Sequence, residues 1–108
     1  MSIFYMKQGD TSPSLRTTLK DSSATPVNIT GATVNMHMYT QDKVTVVIDA
    51  EMSISDAAGG LVTYDWQAGE TDNSGWYWVE FEVTYSDATV ETFPNSGYEA
   101  VKITPQLA

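Results

Sequence analysis

The sequence predicts an all-β sandwich, and three observations carry that expectation. Turn-forming clusters punctuate the chain, many of them about eight to twelve residues apart, the rhythm of sandwiches and barrels. The clusters include Gly9-Asp10-Thr11-Ser12-Pro13, Asp21-Ser22-Ser23-Ala24-Thr25-Pro26, Ala58-Gly59-Gly60, Asp72-Asn73-Ser74-Gly75 and Pro94-Asn95-Ser96-Gly97. Between them lie short runs rich in Val, Ile, Thr, Tyr, Phe and Trp, whose side chains suit a pleated, half-buried surface. No window holds apolar residues at helical spacing for more than about two turns.

Taken in order, residues 3–8, 14–19 and 27–29 are short strand candidates with irregular alternation. Residues 33–40 alternate cleanly, with Val34, Met36 and Met38 on one face and Asn35, His37 and Tyr39 on the other. Residues 44–48 and 52–54 are again short candidates. Residues 61–66 place Val62, Tyr64 and Trp66 together, and residues 67–71 have room for one helical turn at most. Residues 76–85 form the longest run. Tyr77, Val79, Phe81 and Val83 share one face, while Trp76, Trp78, Glu80 and Glu82 share the other. Ser86-Asp87 then supplies a tight turn into residues 88–93, which predicts a hairpin. Residues 99–104 close the series, alternating Val101 and Ile103 with Ala100, Lys102 and Thr104.

A chain of 108 residues is expected to form one domain over residues 1–108, large enough to bury a core without metal or disulfide support. It contains no cysteine, so thiol nucleophiles and thiolate metal sites are excluded. The start of the sequence lacks the basic and then apolar pattern of a signal peptide, and no apolar run reaches the ~20 residues of a membrane span. The formal net charge is -9. Most of it lies late in the chain, where Asp56, Asp65, Glu70, Asp72, Glu80, Glu82, Asp87, Glu91 and Glu99 face Lys102 alone. A field of that sign disfavours nucleic acid and anionic membranes as partners.

Chemistry-bearing constellations are sparse. The one histidine, His37, sits on a strand with no local nucleophile or orienting acid, so an edge or surface role is expected. A zinc site lacks ligands. Asp65, Glu70, Asp72 and Asn73 are the best calcium candidates, but they lack the alternating spacing of a dedicated loop, so turn and capping roles are expected instead. Glu80 and Glu82 lie about 7 Å apart by strand geometry. That distance is suggestive for a glycosidase pair, yet any such pair on a solvated strand face shares it. Asn28-Ile29-Thr30 matches the glycosylation sequon without a secretory signal beside it. No catalytic residue, metal or cofactor is therefore expected, and the chain is not expected to be an enzyme.

Two blocks of sequence, taken together, resemble a known family. The first runs Lys7-Gln8-Gly9-Asp10-Thr11-Ser12-Pro13-Ser14-Leu15, through Leu19-Lys20-Asp21, to Pro26-Val27-Asn28-Ile29-Thr30-Gly31-Ala32-Thr33-Val34. The second runs Gly60-Leu61-Val62-Thr63-Tyr64-Asp65-Trp66, then Gly75-Trp76-Tyr77-Trp78-Val79-Glu80-Phe81-Glu82-Val83, and last Glu91-Thr92-Phe93-Pro94-Asn95. Their order and spacing resemble the N-terminal domain of the phage baseplate upper protein family, roughly over residues 7–103. The resemblance implies an immunoglobulin-like antiparallel β-sandwich of seven to nine strands, acting as an attachment module in the virion and assembled in the host cytoplasm. It implies other virion proteins as partners, in a homo- or hetero-oligomeric assembly. Longer family members continue into receptor-binding parts. This chain ends at Ala108, soon after the last expected strand, so roles as a capsid decoration protein, a head-tail component or a tail accessory stand beside the baseplate role.

Two groups of residues follow from these readings. Trp66, Tyr77, Val79 and Phe81 are the candidate core. Within it Tyr77 is the candidate tyrosine corner, and Val79 stands where antibody domains carry a cysteine. Trp76, Trp78, Glu80 and Glu82 are the candidate partner interface. Two bare indoles would make a patch of roughly 300–500 Å², large enough on a soluble monomer to need a cover. A loop of the same chain, a partner protein or a stacked sugar each answers that need, and the last defines a host-glycan-binding module as the alternative function.

Overall fold

A computed structural model describes residues 3–107. It contains nine strands: β1 (Ile3–Lys7), β2 (Leu15–Thr18), β3 (Thr33–Thr40), β4 (Val46–Glu51), β5 (Ser53–Asp56), β6 (Leu61–Tyr64), β7 (Gly75–Thr84), β8 (Val90–Phe93) and β9 (Glu99–Thr104). Among the described residues there is no helix; the 67–71 segment is a run of turns, closed by bonds such as Glu70 N–H to Gln67 O at 3.1 Å.

The strands form two sheets. One runs β1-β9-β7-β3-β4, with β8 added to β7; the other runs β2-β6-β5. β7 is long enough to carry two neighbours on one edge, β9 along residues 75–79 and β8 along residues 81–84. The orders β9-β7-β3-β4 and β2-β6-β5 correspond to strands G-F-C-C′ and B-E-D of an immunoglobulin-like sandwich. The expected antiparallel pairing has one exception. β1 pairs with β9 in parallel, Ile3 opposite Ala100 through Lys7 opposite Thr104.

The core follows from period-two alternation. Val34, Met36 and Met38 of β3 and Val79, Phe81 and Val83 of β7 point inward from the large sheet. Leu15, Val62 and Tyr64 meet them from the small sheet, and Trp66 follows just past β6. Each such side chain, fully buried, is worth roughly 1.5–3 kcal/mol. Trp66 packs edge-on against Tyr64, ring centroids 5.5 Å apart, and tilted against Phe4 at 6.2 Å.

Three expectations change. Residues 27–29 are not a strand. Val27 N–H bonds to Leu19 O and Ile29 N–H bonds to Ala57 O, so the segment is shared between two neighbours instead of running along one. It crosses directly over Gly60, where a Cβ would meet Val27 O at 2.7 Å; with φ at +71°, only glycine fits there. The fourth strand begins at Val46, later than residue 44. The Asp42 carboxylate accepts the Val44 N–H at 3.0 Å and Lys43 adopts φ 63°, which makes residues 41–45 a turn. The β7–β8 connection is also longer than a two-residue turn. Tyr85 N–H bonds to Thr89 O around Ser86, Asp87 and Ala88, with Ala88 in the left-handed region at φ 71°.

Candidate functional site

The outward face of the large sheet is built from residues that the pairing register places side by side, because directly opposed residues on paired strands share a face. One row runs Ile3, Ala100, Trp78, Tyr39 and Val46, crossing the five strands of the sheet's main path. The next row runs Tyr5, Lys102 and Trp76. On the other side of the apolar row lie Glu80, His37 and Asp49, and beyond them Glu82, Asn35 and Glu51. The face is therefore divided: aromatic and apolar toward the start of β7, acidic toward its end.

Trp76 and Trp78 differ in setting. Trp78 is half-buried under its own chain. Its Nε1–H donates to Gln41 O at 2.9 Å, its ring packs tilted against Tyr98 with centroids 5.9 Å apart, and Lys43 Nζ lies 5.7 Å from its centroid and 4.8 Å from that of Tyr98. Two loops, 41–45 and 94–98, thus fold over one side of it. Trp76 is 37% exposed and is capped by Lys102 Nζ at 4.9 Å. Ile3, Tyr5, Val46 and Val47 beside them are also exposed.

Glu80 and Glu82 project from the same face, half-buried. His37 opposes Glu80 in the register and its Nε2 lies 3.2 Å from the Asp49 carboxylate. His37, Glu80 and Asp49 together give this part of the face its charged character.

The second group of predicted residues lies inside. Trp66, Val79 and Phe81 are buried in the core, and Tyr77 is partly buried against it. Tyr77 Oη–H donates to Asn73 O at 2.7 Å, the backward bond of a tyrosine corner, and burial pushes its hydroxyl pKa up. The calcium candidates have local duties. The Glu70 carboxylate accepts Tyr64 Oη–H at 2.7 and 2.9 Å and the Gln67 N–H at 2.7 Å, while Asp65 accepts the Ser14 hydroxyl. Among the described residues no group of three or more His, Cys, Asp or Glu is arranged to hold a metal ion.

The model of the BppU N-terminal domain matches residues 2–94 of the sequence. The chain belongs to that family. As a BppU N-terminal domain it is a structural protein of the phage baseplate, hence a virion component associated with other virion proteins. No curated protein matches the sequence. Among solved structures, CopC from Methylosinus trichosporium OB3b is similar over 100% of this chain and 89% of its own, with a TM-score of 0.57 and 12% identity. At that identity the likeness concerns the fold alone. It shows that the BppU N-terminal domain shares its sandwich with a protein of distant sequence.

Sequence reasoning missed the residues that complete the face. Lys43 and Tyr98 sit in loops, and nothing in the local pattern brings a loop lysine over a distant indole. Ile3 and Tyr5 alternate outward on β1, a signal that was present but could not be placed without the parallel pairing to β9.

Proposed function

We propose that this domain attaches neighbouring baseplate proteins through the outward face of its large sheet. The observation that carries this reading is the row Ile3, Ala100, Trp78, Tyr39 and Val46 across every strand of the sheet's main path, with Ile3 and Val46 exposed, Trp78 and Tyr39 half-buried and Ala100 buried between them. Solvated sheet faces ordinarily alternate with polar residues, and a continuous apolar band rimmed by charge marks a protein contact. Glu80, Glu82, Asp49 and Glu51 form one rim, so the complementary partner is apolar at its centre and basic at that side. The glycan reading needs a bare aromatic face. Lys43 already lies over Trp78 and Tyr98, which leaves that reading less support.

The test is Trp76→Ala. Trp76 is exposed and packs on a lysine, so the variant is expected to fold with a melting temperature within a few degrees of the parent. It is expected to be depleted from purified particles by tenfold or more. Incorporation at the parental level would overturn the proposal.

A further inference from the structure

The two sheets do not end alike. The position that strand A occupies beside strand B in an immunoglobulin-like sandwich is taken here by no described residue, because β1 runs along β9 in the other sheet. β2 pairs with β6 alone. Leu19 N–H bonds to Gly60 O, which fixes the phase of the ladder. Leu15, Thr17 and the Leu19 N–H then turn to β6, and Arg16 and Thr18 turn their backbone groups to the open edge. Among the described residues nothing bonds to those outward groups.

That edge differs from those of β4 and β5, while the β1–β9 ladder is regular as well. The β3–β4 and β5–β6 ladders carry register shifts, at Met38/Tyr39 and at Ile54/Asp56, irregularities of the kind that blunt an edge. β2 carries none. It also borders two adjoining cavities, of about 230 and 360 Å³, that share Arg16, Thr17, Phe81 and Glu99 as walls. The first reaches Leu15 and Val101 of the core; the second reaches Phe93. A cleft between two sheets, beside an unpaired strand, has the form that an added strand fills.

We infer that β2 receives an extended segment of a neighbouring virion protein, which adds a fourth strand to the small sheet. This rests on the attachment role proposed above and adds a second contact to it. The chemistry of the segment follows from the walls. Alternate side chains facing the cleft must be aliphatic to fill the space beside Leu15, Phe81 and Val101. Arg16, a wall of both cavities, and Lys20, a wall of the second, are exposed at the mouth of the cleft and are two of the five basic residues in a chain of net charge -9, so the side chains that meet them there are acidic.

The probe is an acetylated, amidated hexapeptide alternating valine and glutamate, added to the purified chain. Backbone hydrogen exchange is expected to slow at least tenfold at Arg16 and Thr18, and Arg16→Glu is expected to weaken peptide binding about tenfold. Thr18→Pro deletes an N–H that the β2–β6 ladder does not use. It is expected to abolish peptide binding and to lower incorporation into particles, while Trp76→Ala keeps peptide binding. Protection at another edge, no protection at millimolar peptide, pairing of β2 with a second copy of the chain, or parental incorporation of Thr18→Pro would each overturn the inference. If Thr18→Pro fails to fold, the exchange pattern of the parent chain decides. Parental incorporation of Trp76→Ala alongside peptide binding at β2 would sink only the outward-face proposal.

Discussion

The two faces of β7 are built from one decapeptide and obey different rules. Inward, Val79, Phe81 and Val83 are at most 3% exposed and belong to the apolar core cluster, so packing governs them. Outward, Trp76 and Trp78 are held by handles: a lysine over each ring and one indole N–H bond. Such contacts are worth roughly 0.5–1 kcal/mol each in exposed settings, less than burial of a core side chain. The difference teaches that large aromatic residues need not signal a core. Here lysines and a loop carbonyl hold them on the outward face instead.

Three measurements can break or sharpen that contrast. The largest effect belongs to the inner face. Phe81→Ala should lower unfolding free energy by about 3–5 kcal/mol in urea denaturation, the cost of an aromatic cavity. A loss below about 1 kcal/mol would mean that the core is not continuous under β7. Next comes Trp78→Ala, which removes the Gln41 bond and the contacts with Tyr98 and Lys43. It should cost about 1–3 kcal/mol. A loss as large as that of Phe81→Ala would make the outward face a second core and erase the distinction between the two.

The smallest effect concerns the rim between the faces. Burial, and then the bond that its Oη–H donates to Glu91 at 2.7 Å, push the Tyr85 hydroxyl up to about 12; Tyr64, through burial and its bond to Glu70, is raised as well. Folded values above the unfolded value of about 10 mean that the neutral hydroxyls stabilise the fold. That contribution is complete below pH 10 and is lost as pH rises through about 12. Melting temperature should therefore fall over that window, and Tyr85→Phe should reduce the fall. A flat profile from pH 9 to 12 would remove these bonds from the account.

Much of this was legible in the residue pattern, for a stated reason. Strict alternation in β3 and β7 predicts which side chains turn inward, and Met36, Met38, Val79 and Phe81 are buried there. Local pattern fails where one apolar residue is buried without a ladder. Ile29 is fully buried, yet its backbone bonds pass to separate segments. It fails again where polar residues continue a strand, as Asp49 and Glu51 do in β4. Pairing of β1 with β9 joins opposite ends of the sequence and leaves no local trace. The candidate interface was half visible: the aromatic and acidic residues of β7 could be read, but the flanking row on β1, β3 and β4 depends on register.

The parallel clasp of β1 and β9 has a mechanical consequence. Ile3 lies beside Ala100 and Lys7 beside Thr104, so the first strand is entered at one pole of the clasp and the last is left at the other. Tension between Ile3 and Thr104 pulls the two strands past each other along their length. The rungs between them then share the load together instead of opening one after another like a zipper. A module clasped this way is suited to bear tension between those two residues before any of its interior is laid open.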